Sequence, residues 1–488
     1  MENIYGIDLG TTQSCVARIT KYGQPEVLTS FEGDPTTPSV VYYDTVKNDV
    51  IVGSVAKESW FGVKPESTVA FIKREMPNEN YRRTIGDKQI TPVNVSAQIL
   101  KKLVADANIK LANEENLPPI KKVIITIPAY FGDLERRRTQ DAGVEAGLEV
   151  LELINEPVAA AIWFSKKNPA TKTFLVYDLG GGTFDVSIVR KKPGEKPDIL
   201  CFDGDKQLGG VDWDRALANR ALSENGIEST IEDFEHTPDG SRLLLEAEKA
   251  KQGLTTSTSV NIWFRYNNNS YNATVHRADF ETDTRDLLSR TEAIIDRAIR
   301  AAKIQHSDIE DIVMVGGSSR MPMVLNMLQK KFNKEVDRKL FFPDLAVAYG
   351  AAIYANNFHK PSLDIPDPIL SKSYGTDVYN LERRGHPMMI YNFFYKNQKL
   401  PIPEVKQRFR IRKFNQKAVL MGIYENDSDD QWEDLEKGRL VIEEILEINE
   451  PVLKGTPVDV FVEVNKSGIL HLRAECKGKQ IKMHTKTK

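Results

Sequence analysis

The stretch FLVYDLGGGTFDVSIV, residues 174–189, places an aspartate and three glycines between two apolar runs. The apolar runs are typical of buried strands, and Gly180–Gly182 permit a tight turn between them. A shorter version, IYGIDLGTTQSCVARI at residues 4–19, carries Asp8, Gly10 and a Thr-Thr pair. The two copies lie about 170 residues apart, too far for a solenoid repeat. The repeat therefore predicts two related lobes that face each other.

The turns of this repeat have the chemistry of a phosphate site. Without a Cβ atom, a glycine turn lets backbone N–H groups approach a polyphosphate closely, and threonine hydroxyls add donors. An aspartate repels phosphate, so Asp8 and Asp178 make sense if Mg²⁺ lies between them and the phosphates, held through water. A third glycine turn, Gly316-Gly317-Ser318, follows a predicted strand and precedes a helix. Ordinary hairpin turns are the alternative for any one copy alone.

Composition and charge narrow the class of protein. The 488 residues predict about three domains, and 41% hydrophobic with 28% charged residues are typical of a globular protein. A net charge of -3 gives no attraction to nucleic acid or an anionic membrane, so we expect neither as a partner. Three dispersed cysteines predict no disulfide framework, and the absence of a signal peptide or a long apolar run predicts a cytoplasmic protein.

The pattern of predicted secondary structure changes near residue 358. Before it, strands and helices alternate. Residues 359–372 carry three prolines in HKPSLDIPDPILSK, which is typical of a linker. Residues 373–488 contain short alternating runs such as KAVLMGIYE and VDVFVEVN, which predict a β-sandwich-like domain. The predicted helices include 133–146, 241–254, one long helix over 278–304, and 343–358.

Two common nucleotide motifs are missing from the sequence. There is no G-x-x-x-x-G-K-[ST], which excludes a P-loop enzyme, and no G-x-G-x-x-G opening a βαβ unit, which disfavours a dinucleotide fold.

A series of ordered motifs resembles the heat-shock protein 70 (DnaK-type) chaperone family, within the actin and sugar-kinase superfamily. The matching segments are GIDLGTTQSCVA at 6–17, FIKR at 71–74, IPAYFGDLERRRTQDAG at 127–143, INEPVAAA at 154–161, YDLGGGTFDVSI at 177–188, LGGVDWD at 208–214, EAEKAK at 246–251, VGGSSRMP at 315–322 and PDLAVAYGAA at 343–352. VNKSGILHLRAE at 464–475 is similar to the end of the family's substrate-binding β-domain. The resemblance implies a two-lobed actin-like ATPase fold with duplicated ribonuclease-H-like lobes over 1–358, then the linker and a β-sandwich over 373–488.

The resemblance also implies roles for individual residues. Asp8 and Asp178 would orient hydrated Mg²⁺, and Asp185 matches the neighbourhood of a monovalent cation, K⁺. Lys73, Glu156, Asp178 and Thr183 would be catalytic. The residues implied to contact ATP or ADP are Gly10, Thr11, Thr12, Gly181, Gly182, Thr183, Gly209, Gly210, Glu248, Lys251, Thr255, Gly316, Gly317, Ser318, Arg320 and Asp344.

Each of these side chains has an ordinary structural alternative when it is taken alone. Lys73 and Arg320 would be surface cations, and Glu156 would be a carboxylate at a helix start. Glu248 and Lys251 would form an ion pair on one helix face, and Asp344 would be a helix N-cap.

Four features depart from the family pattern. Gln252 stands where the family has an arginine that stacks on adenine, which should weaken nucleotide binding. Pro366 and Pro368 would prevent the linker from adding to a sheet edge. Residues 374–401 are longer and more polar than the start of the family's β-domain. The helical lid that follows that domain in the family has no counterpart in this sequence, so fast peptide exchange is expected.

The function implied by the resemblance is that of an ATP-dependent chaperone. Slow Mg-ATP hydrolysis in the first domain would regulate binding of unfolded or extended polypeptide by the second, in protein folding and the stress response. A J-domain co-chaperone and a nucleotide exchange factor are the implied partners. A nucleotide-switched adaptor with weak ATPase activity is the alternative that the unusual linker and β-domain keep open; a sugar-kinase-like enzyme is a further one.

Overall fold

The structure is a computed structural model that describes residues 3–115, 117–170, 172–192, 194–336, 344–360, 365–385, 387–411, 414–480 and 482–485. The chain divides into two compact units. The first contains residues 1–130 and 138–366, and the second contains residues 131–137 and 367–488.

The first unit alternates strands and helices. Its strands are β1 (Ile4–Leu9), β2 (Gln13–Ile19), β3 (Pro25–Leu28), β4 (Thr37–Pro38), β5 (Val41–Asp44), β6 (Asp49–Val52), β7 (Thr68–Val69), β8 (Arg83–Ile85), β9 (Lys88–Ile90), β10 (Lys122–Ile127), β11 (Glu149–Asn155), β12 (Thr173–Leu179), β13 (Phe184–Arg190), β14 (Asp198–Asp205), β15 (Ser259–Tyr266), β16 (Asn269–His276) and β17 (Asp311–Val315). The helices are α1 (Pro92–Glu115), α2 (Asp133–Glu145), α3 (Glu156–Lys167), α4 (Gly210–Glu224), α5 (Pro238–Gly253), α6 (Arg277–Asp283), α7 (Arg285–Ala301), α8 (Pro322–Phe332) and α9 (Ala346–Asn356); residues 133–137 of α2 belong to the second unit.

Two sheets of this unit share one arrangement, which confirms the predicted pair of lobes. The first sheet runs in the order β11-β10-β1-β2-β3, with β4 attached to β2, and the second runs β14-β13-β12-β17. In both, the leading strand pairs antiparallel with the strand that follows it and parallel with a later one: β1 with β2 and β10, β12 with β13 and β17. The glycine turns at Gly10 and Gly180–Gly182 therefore occupy equivalent positions in the two lobes.

Small residues let the helices of the first lobe approach their neighbours closely. A Cβ atom at Gly350 in α9 would lie 1.7 Å from the carbonyl oxygen of Ala159 in α3. Both helices are almost wholly buried. This contact, possible only without a side chain at Gly350, fixes the layer that lies against β1 and β10.

The long helix expected over 278–304 is wrong, because the segment forms α6 and α7 with a break at Thr284. The buried Thr284 hydroxyl donates to the carbonyl of Phe280 at 2.7 Å, which competes with continuous helical bonding. The last helix of the unit begins at Ala346 rather than at residue 343. Pro343 lies outside the described residues.

The second unit is a β-sandwich, as predicted. Its strands are β18 (Ser373–Tyr379), β19 (Met388–Phe394), β20 (Ile402–Arg410), β21 (Gln416–Asn426), β22 (Trp432–Asp434), β23 (Arg439–Val452), β24 (Pro457–Val464), β25 (Leu470–Cys476), β26 (Lys479–Gln480) and β27 (Lys482–Thr485). One sheet has the order β22-β19-β18-β21-β23-β27 and the other β20-β24-β25-β26. Side chains from both sheets, among them Tyr374, Ile423, Val460 and Leu470, pack into one core.

The polar segment 374–401 forms a hairpin of this sandwich, since β18 pairs antiparallel with β19. The acidic stretch after Asn426 is more ordered than a solvated loop, because it contains β22, which pairs with β19.

Pro366 and Pro368 do not exclude backbone pairing of the predicted linker. Ile369 forms an isolated antiparallel bridge with Lys399, and the N–H of Leu400 donates to the carbonyl of Pro368 at 2.7 Å. The pairing uses carbonyl groups and non-proline amides, which the prolines leave intact. Residues 361–364 of the linker lie outside the described residues, and the boundaries at 358 and 372 stay a prediction.

Two further expectations concern the chain as a whole. All three cysteines are free and buried. Within the described residues, no helix has the combination of length and apolar character that crossing a bilayer requires.

Candidate functional site

A cavity of about 620 Å³ in the first unit collects most of the predicted site residues. The glycine turns after β1, β12 and β17 open into it. The predicted residues on its wall are Asp8, Gly10, Thr11, Thr12, Lys73, Glu156, Asp178, Gly181, Thr183, Glu248, Lys251, Gly316, Gly317, Ser318, Arg320 and Asp344. Residues up to 336 positions apart in sequence thus line one space, from Asp8 to Asp344.

The first two glycine turns, one from each lobe, contact each other at the cavity. A Cβ atom at Gly181 would lie 2.2 Å from the Cγ2 atom of Thr12, and one at Gly182 would lie 2.4 Å from the Cγ2 atom of Thr11. Each threonine of one lobe therefore packs on a glycine of the other. The absence of side chains on the second turn sets the separation of the two lobes at the site.

Buried serines support the first turn from behind. The Ser39 hydroxyl donates to the carbonyl of Gly10 at 2.9 Å, and its backbone N–H donates to the carbonyl of Thr12, also at 2.9 Å. The Ser14 hydroxyl lies 2.8 Å from that of Ser39 and accepts from the N–H of Gly10 at 3.0 Å. We did not predict a role for Ser39, and its position outside the motif gave no signal.

Three carboxylates and one ammonium group form the charged floor of the site. Lys73 makes a buried ion pair with Glu156. Burial and the charge of Glu156 raise the pKa of Asp8 to about 7, although Lys73 and a 2.9 Å hydrogen bond from Thr126 act in the opposite direction. Burial, Glu156 and Asp8 raise the pKa of Asp178 well above its ordinary value. The negative charges thus exceed what Lys73 balances.

Asp185 lies behind this floor rather than on the cavity wall. It pairs with Asp178 in the β12–β13 register, and one of its oxygens accepts from the N–H of Ala129 at 2.8 Å. The other, Oδ2, is buried and has no hydrogen-bond partner within the described residues. Burial, Glu156 and Asp178 raise its pKa well above the ordinary value.

These carboxylates suit a hard cation that keeps water or phosphate ligands. Their oxygen atoms are the donors that Mg²⁺ prefers, and their pKa values are raised mainly by burial and further by neighbouring carboxylates, an effect that a bound cation would oppose. In the described part of the chain, no three His, Cys, Asp or Glu side chains lie close enough together to hold a metal by themselves. Asp8 and Asp178 therefore fit a metal held partly through other ligands.

The far end of the cavity is lined by ion pairs that differ from the expected ones. Glu248 and Lys251 do not pair with each other. Glu248 pairs with Lys57 at 2.7 Å, and Lys251 pairs with the buried Asp214 at 2.7 Å. Burial raises the pKa of Asp214 to about 6, even though Lys251 lowers it.

The third glycine turn carries the other charged pair of this end. Arg320 and Asp344, both about half exposed, form an ion pair at 2.5 Å. Asp344 precedes α9, whose N-cap is Leu345, so it does not cap that helix. Gln252 also lines the cavity, and its side chain is exposed.

A few predicted residues do not line the cavity. Gly182 belongs to the second turn but is not on the cavity wall, and Gly209 and Gly210 lie behind that turn, where a Cβ atom at Gly209 would be 2.3 Å from the carbonyl carbon of Gly182. Thr255 lies beyond the wall, and its hydroxyl faces the carbonyl of Lys251 at 3.4 Å. These residues therefore support the site instead of facing it.

The prediction omitted several residues of the wall. Phe71 and Asp214 are the most informative, because they belong to FIKR and LGGVDWD, two of the segments that carry the family resemblance. Phe71 adopts a left-handed backbone conformation with φ of 58° immediately before the turn that carries Lys73. The remaining omitted residues are Gln13, Pro35, Thr36, Gly180, Val315, Leu345 and Val347.

Comparison with known proteins gives consistent matches over the whole chain. The family model described as Hsp70 protein matches residues 4–488. The chain is 35% identical over 484 residues to the Chaperone protein DnaK of Halobacterium salinarum, covering 98% of this chain and 73% of that protein. It is 36% identical over 483 residues to the Chaperone protein DnaK of Thermotoga petrophila and to that of Thermotoga neapolitana, covering 97% of this chain and 78% of each relative.

The contact between the two turns can be tested by a pair of substitutions. Gly182→Ala introduces a methyl group 2.4 Å from Thr11 Cγ2, so it should separate the turns and weaken ADP binding in Mg²⁺ by at least about 10-fold. Thr11→Ser removes that Cγ2 atom, and the double variant should regain part of the lost affinity. Isothermal titration calorimetry gives both dissociation constants. If Gly182→Ala binds like the parent, or Thr11→Ser adds a further full loss, the contact does not set the affinity.

Proposed function

The chain belongs to the Hsp70 family, and we propose that the cavity between its two glycine turns is where it binds and hydrolyses Mg-ATP. The protein is an ATPase and an ATP-dependent molecular chaperone of the Hsp70 type. The adaptor and sugar-kinase alternatives are not favoured, because the family match includes the β-sandwich as well as the two lobes. The observation that carries the site assignment is the facing pair of turns above a floor of buried carboxylates and one lysine.

The turns hold the polyphosphate through their backbone. Thr11, Thr12, Gly181 and Thr183 lie on the wall of the cavity and supply N–H and hydroxyl donors from two sides. Donors fixed in place before the reaction stabilise developing charge better than water does, because they need no reorganisation. Gly316, Gly317 and Ser318 extend the same surface toward the nucleoside.

Lys73 and Glu156 act on the transferred group. In hydrolysis, a water oxygen forms a bond to the γ-phosphorus and the bond from that phosphorus to the bridging oxygen breaks, giving ADP and inorganic phosphate. Lys73 places a fixed positive charge beside the γ-phosphate, and Glu156 orients the attacking water. Their ion pair holds both side chains in position before the nucleotide enters.

In this proposal Asp8 and Asp178 would hold Mg²⁺ through water, and Asp185, with its buried Oδ2 atom, would help to hold K⁺. When bound, Mg²⁺ neutralises charge on the phosphate oxygens. The chain's own contribution is the set of carboxylates whose raised pKa values mark an excess of negative charge.

The second unit provides the polypeptide site. A DnaK-type chaperone binds unfolded polypeptide clients, and we assign this binding to the β-sandwich, in which the nucleotide state regulates affinity. J-domain co-chaperones and nucleotide exchange factors complete the cycle, and the cytoplasm is the proposed location.

The catalytic assignment is tested by Asp8→Asn, Lys73→Ala and Thr183→Ala. Each should lower the single-turnover rate constant of ATP hydrolysis by about 100-fold or more, because each removes a fixed charge or donor at the phosphates. Each variant should remain folded by circular dichroism, although Lys73→Ala should unfold at a lower temperature than the parent because it leaves the buried Glu156 without its ion-pair partner. Lys249→Ala, an exposed position on α5, is the matched control and should hydrolyse ATP normally. Parent-like rates in all three variants would show that the site is elsewhere.

The nucleoside end is tested at Gln252. A planar guanidinium can stack on adenine, so Gln252→Arg should tighten ATP binding by about 2- to 30-fold. Gln252→Lys adds the same charge without the plane and should give a smaller gain. Fluorescence titration with labelled ATP measures both. Equal gains would assign the effect to charge alone.

Coupling of the two units is tested with the whole chain. An extended apolar peptide should accelerate single-turnover hydrolysis several-fold, because a chaperone links client binding to its ATPase cycle. An acidic peptide of the same length is the control. Hydrolysis that is unaffected by either peptide would contradict the coupling and favour the adaptor.

A further inference from the structure

Arg74 follows the lysine of the site but points away from the cavity. It lies in the short 3-10 turn Ile72–Glu75, next to Lys73, and is 9% exposed. Its Nε donates to the carbonyl of Gly182 at 2.7 Å, and its two terminal nitrogens donate to the two carboxylate oxygens of Asp212, the Nη1 bond being 3.2 Å long. Arg74 therefore connects the segment that carries the lysine to the glycine turn of the other lobe.

Arg74 binds the last of three consecutive carbonyl groups in the second turn, each of which accepts a hydrogen bond. The Gly180 carbonyl accepts from the N–H of Gly210 at 2.9 Å, and the Gly181 carbonyl accepts from the N–H of Val211 at 2.8 Å. The start of α4 thus holds the first two peptide groups of the turn, and Arg74 holds the third.

Fixing a carbonyl also fixes the N–H of the next residue. In a trans peptide the C=O and N–H groups point in opposite directions across a rigid plane. With the carbonyls of the turn directed at α4 and Arg74, the N–H groups of Gly181, Gly182 and Thr183 are directed to the opposite side. Thr183 lines the cavity, and its N–H belongs to the peptide plane that the bond from Arg74 orients.

Asp212 holds Arg74 and the start of α4 together. Its carboxylate binds both terminal nitrogens of Arg74 and accepts from the N–H of Gly209 at 2.8 Å. A guanidinium fork can bind two carboxylate oxygens and a carbonyl at once, whereas the single ammonium group of a lysine cannot reproduce that geometry. Burying such a charge is costly, and replacing a buried ion pair by apolar side chains of similar volume is often neutral or stabilising, so stability alone is a weak explanation for this pair.

We propose that Arg74 is a positioning residue for ATP hydrolysis: it orients the Gly182–Thr183 peptide group so that the Thr183 N–H faces the phosphates. This inference rests on the proposed function of the cavity. The amide oriented by Arg74 is one of several donors in the bound state, and its direction matters most as charge develops on the phosphate oxygens.

The test compares Arg74→Ala and Arg74→Lys in the whole chain. Both should lower the single-turnover rate constant of Mg-ATP hydrolysis, by about 100-fold for alanine and by at least about 10-fold for lysine, with much smaller changes in the dissociation constant for ATP. A merely structural role would change stability, and lysine, which retains the charge and most of the volume, would restore the rate. Arg82→Ala, at an exposed position nearby, should hydrolyse ATP like the parent.

Asp212→Asn supplies an independent measurement. Because Asp212 acts through Arg74, the Arg74→Lys/Asp212→Asn double variant should be no slower than the slower single variant. Fully additive losses, or a parent-like rate in folded Arg74→Lys, would overturn the proposal. If Arg74→Ala does not fold, Arg74→Lys and Asp212→Asn decide the outcome.

Lys73→Ala separates this inference from the proposed site itself. A large loss in Lys73→Ala with normal rates in the Arg74 variants removes only the positioning role. Normal rates in Lys73→Ala would remove the site assignment and the positioning role with it.

Discussion

The contact of Thr11 and Thr12 with Gly181 and Gly182 sets the separation of the two lobes, and the proposed phosphate site depends on that separation. Each pair brings a threonine of one lobe against a glycine of the other, at a separation that no larger side chain on the second turn would permit. Backbone donors from both lobes can reach one polyphosphate only at that separation. The equivalent positions of the turns, each after the leading strand of its sheet, make this approach nearly symmetrical.

The charges below the turns explain why the site requires a ligand to be complete. Burying carboxylates near one another raises their pKa values, and in Asp8, Asp178 and Asp185 this effect outweighs the attraction of Lys73. A protein optimised for stability alone would not retain such a group of buried acids. If cations and the negatively charged nucleotide bind here as proposed, each would offset the charge of the other, and we expect nucleotide and metal binding to be mutually dependent.

The sequence predicted the parts of the site that are local, and it could not predict the parts that depend on tertiary contacts. Asp8, Asp178 and the glycines belong to compact repeated motifs, so two lobes and a phosphate site could be inferred from them. Ser39 and Lys57 carry no pattern of their own, because their roles arise from bonds to Gly10 and Glu248 across the fold. Spacing on one helix suggested that Glu248 and Lys251 pair, but both have partners on other elements. The division into α6 and α7 lies at Thr284, whose hydroxyl and backbone N–H both donate to the carbonyl of Phe280, a local detail that periodicity does not reveal.

The two turns are alike in backbone but are supported by different chemistry. Neutral hydroxyls of Ser14 and Ser39, both from the first lobe, support the first turn. The second turn is supported partly by α4 of its own lobe. The other support is Arg74, which comes from the part of the chain before the second lobe. A change in the separation of the lobes would therefore leave the first turn intact and act directly on the Gly182–Thr183 peptide. In the proposed site, the orientation of the Thr183 N–H would then depend on how closely the lobes approach, because Arg74 joins the two.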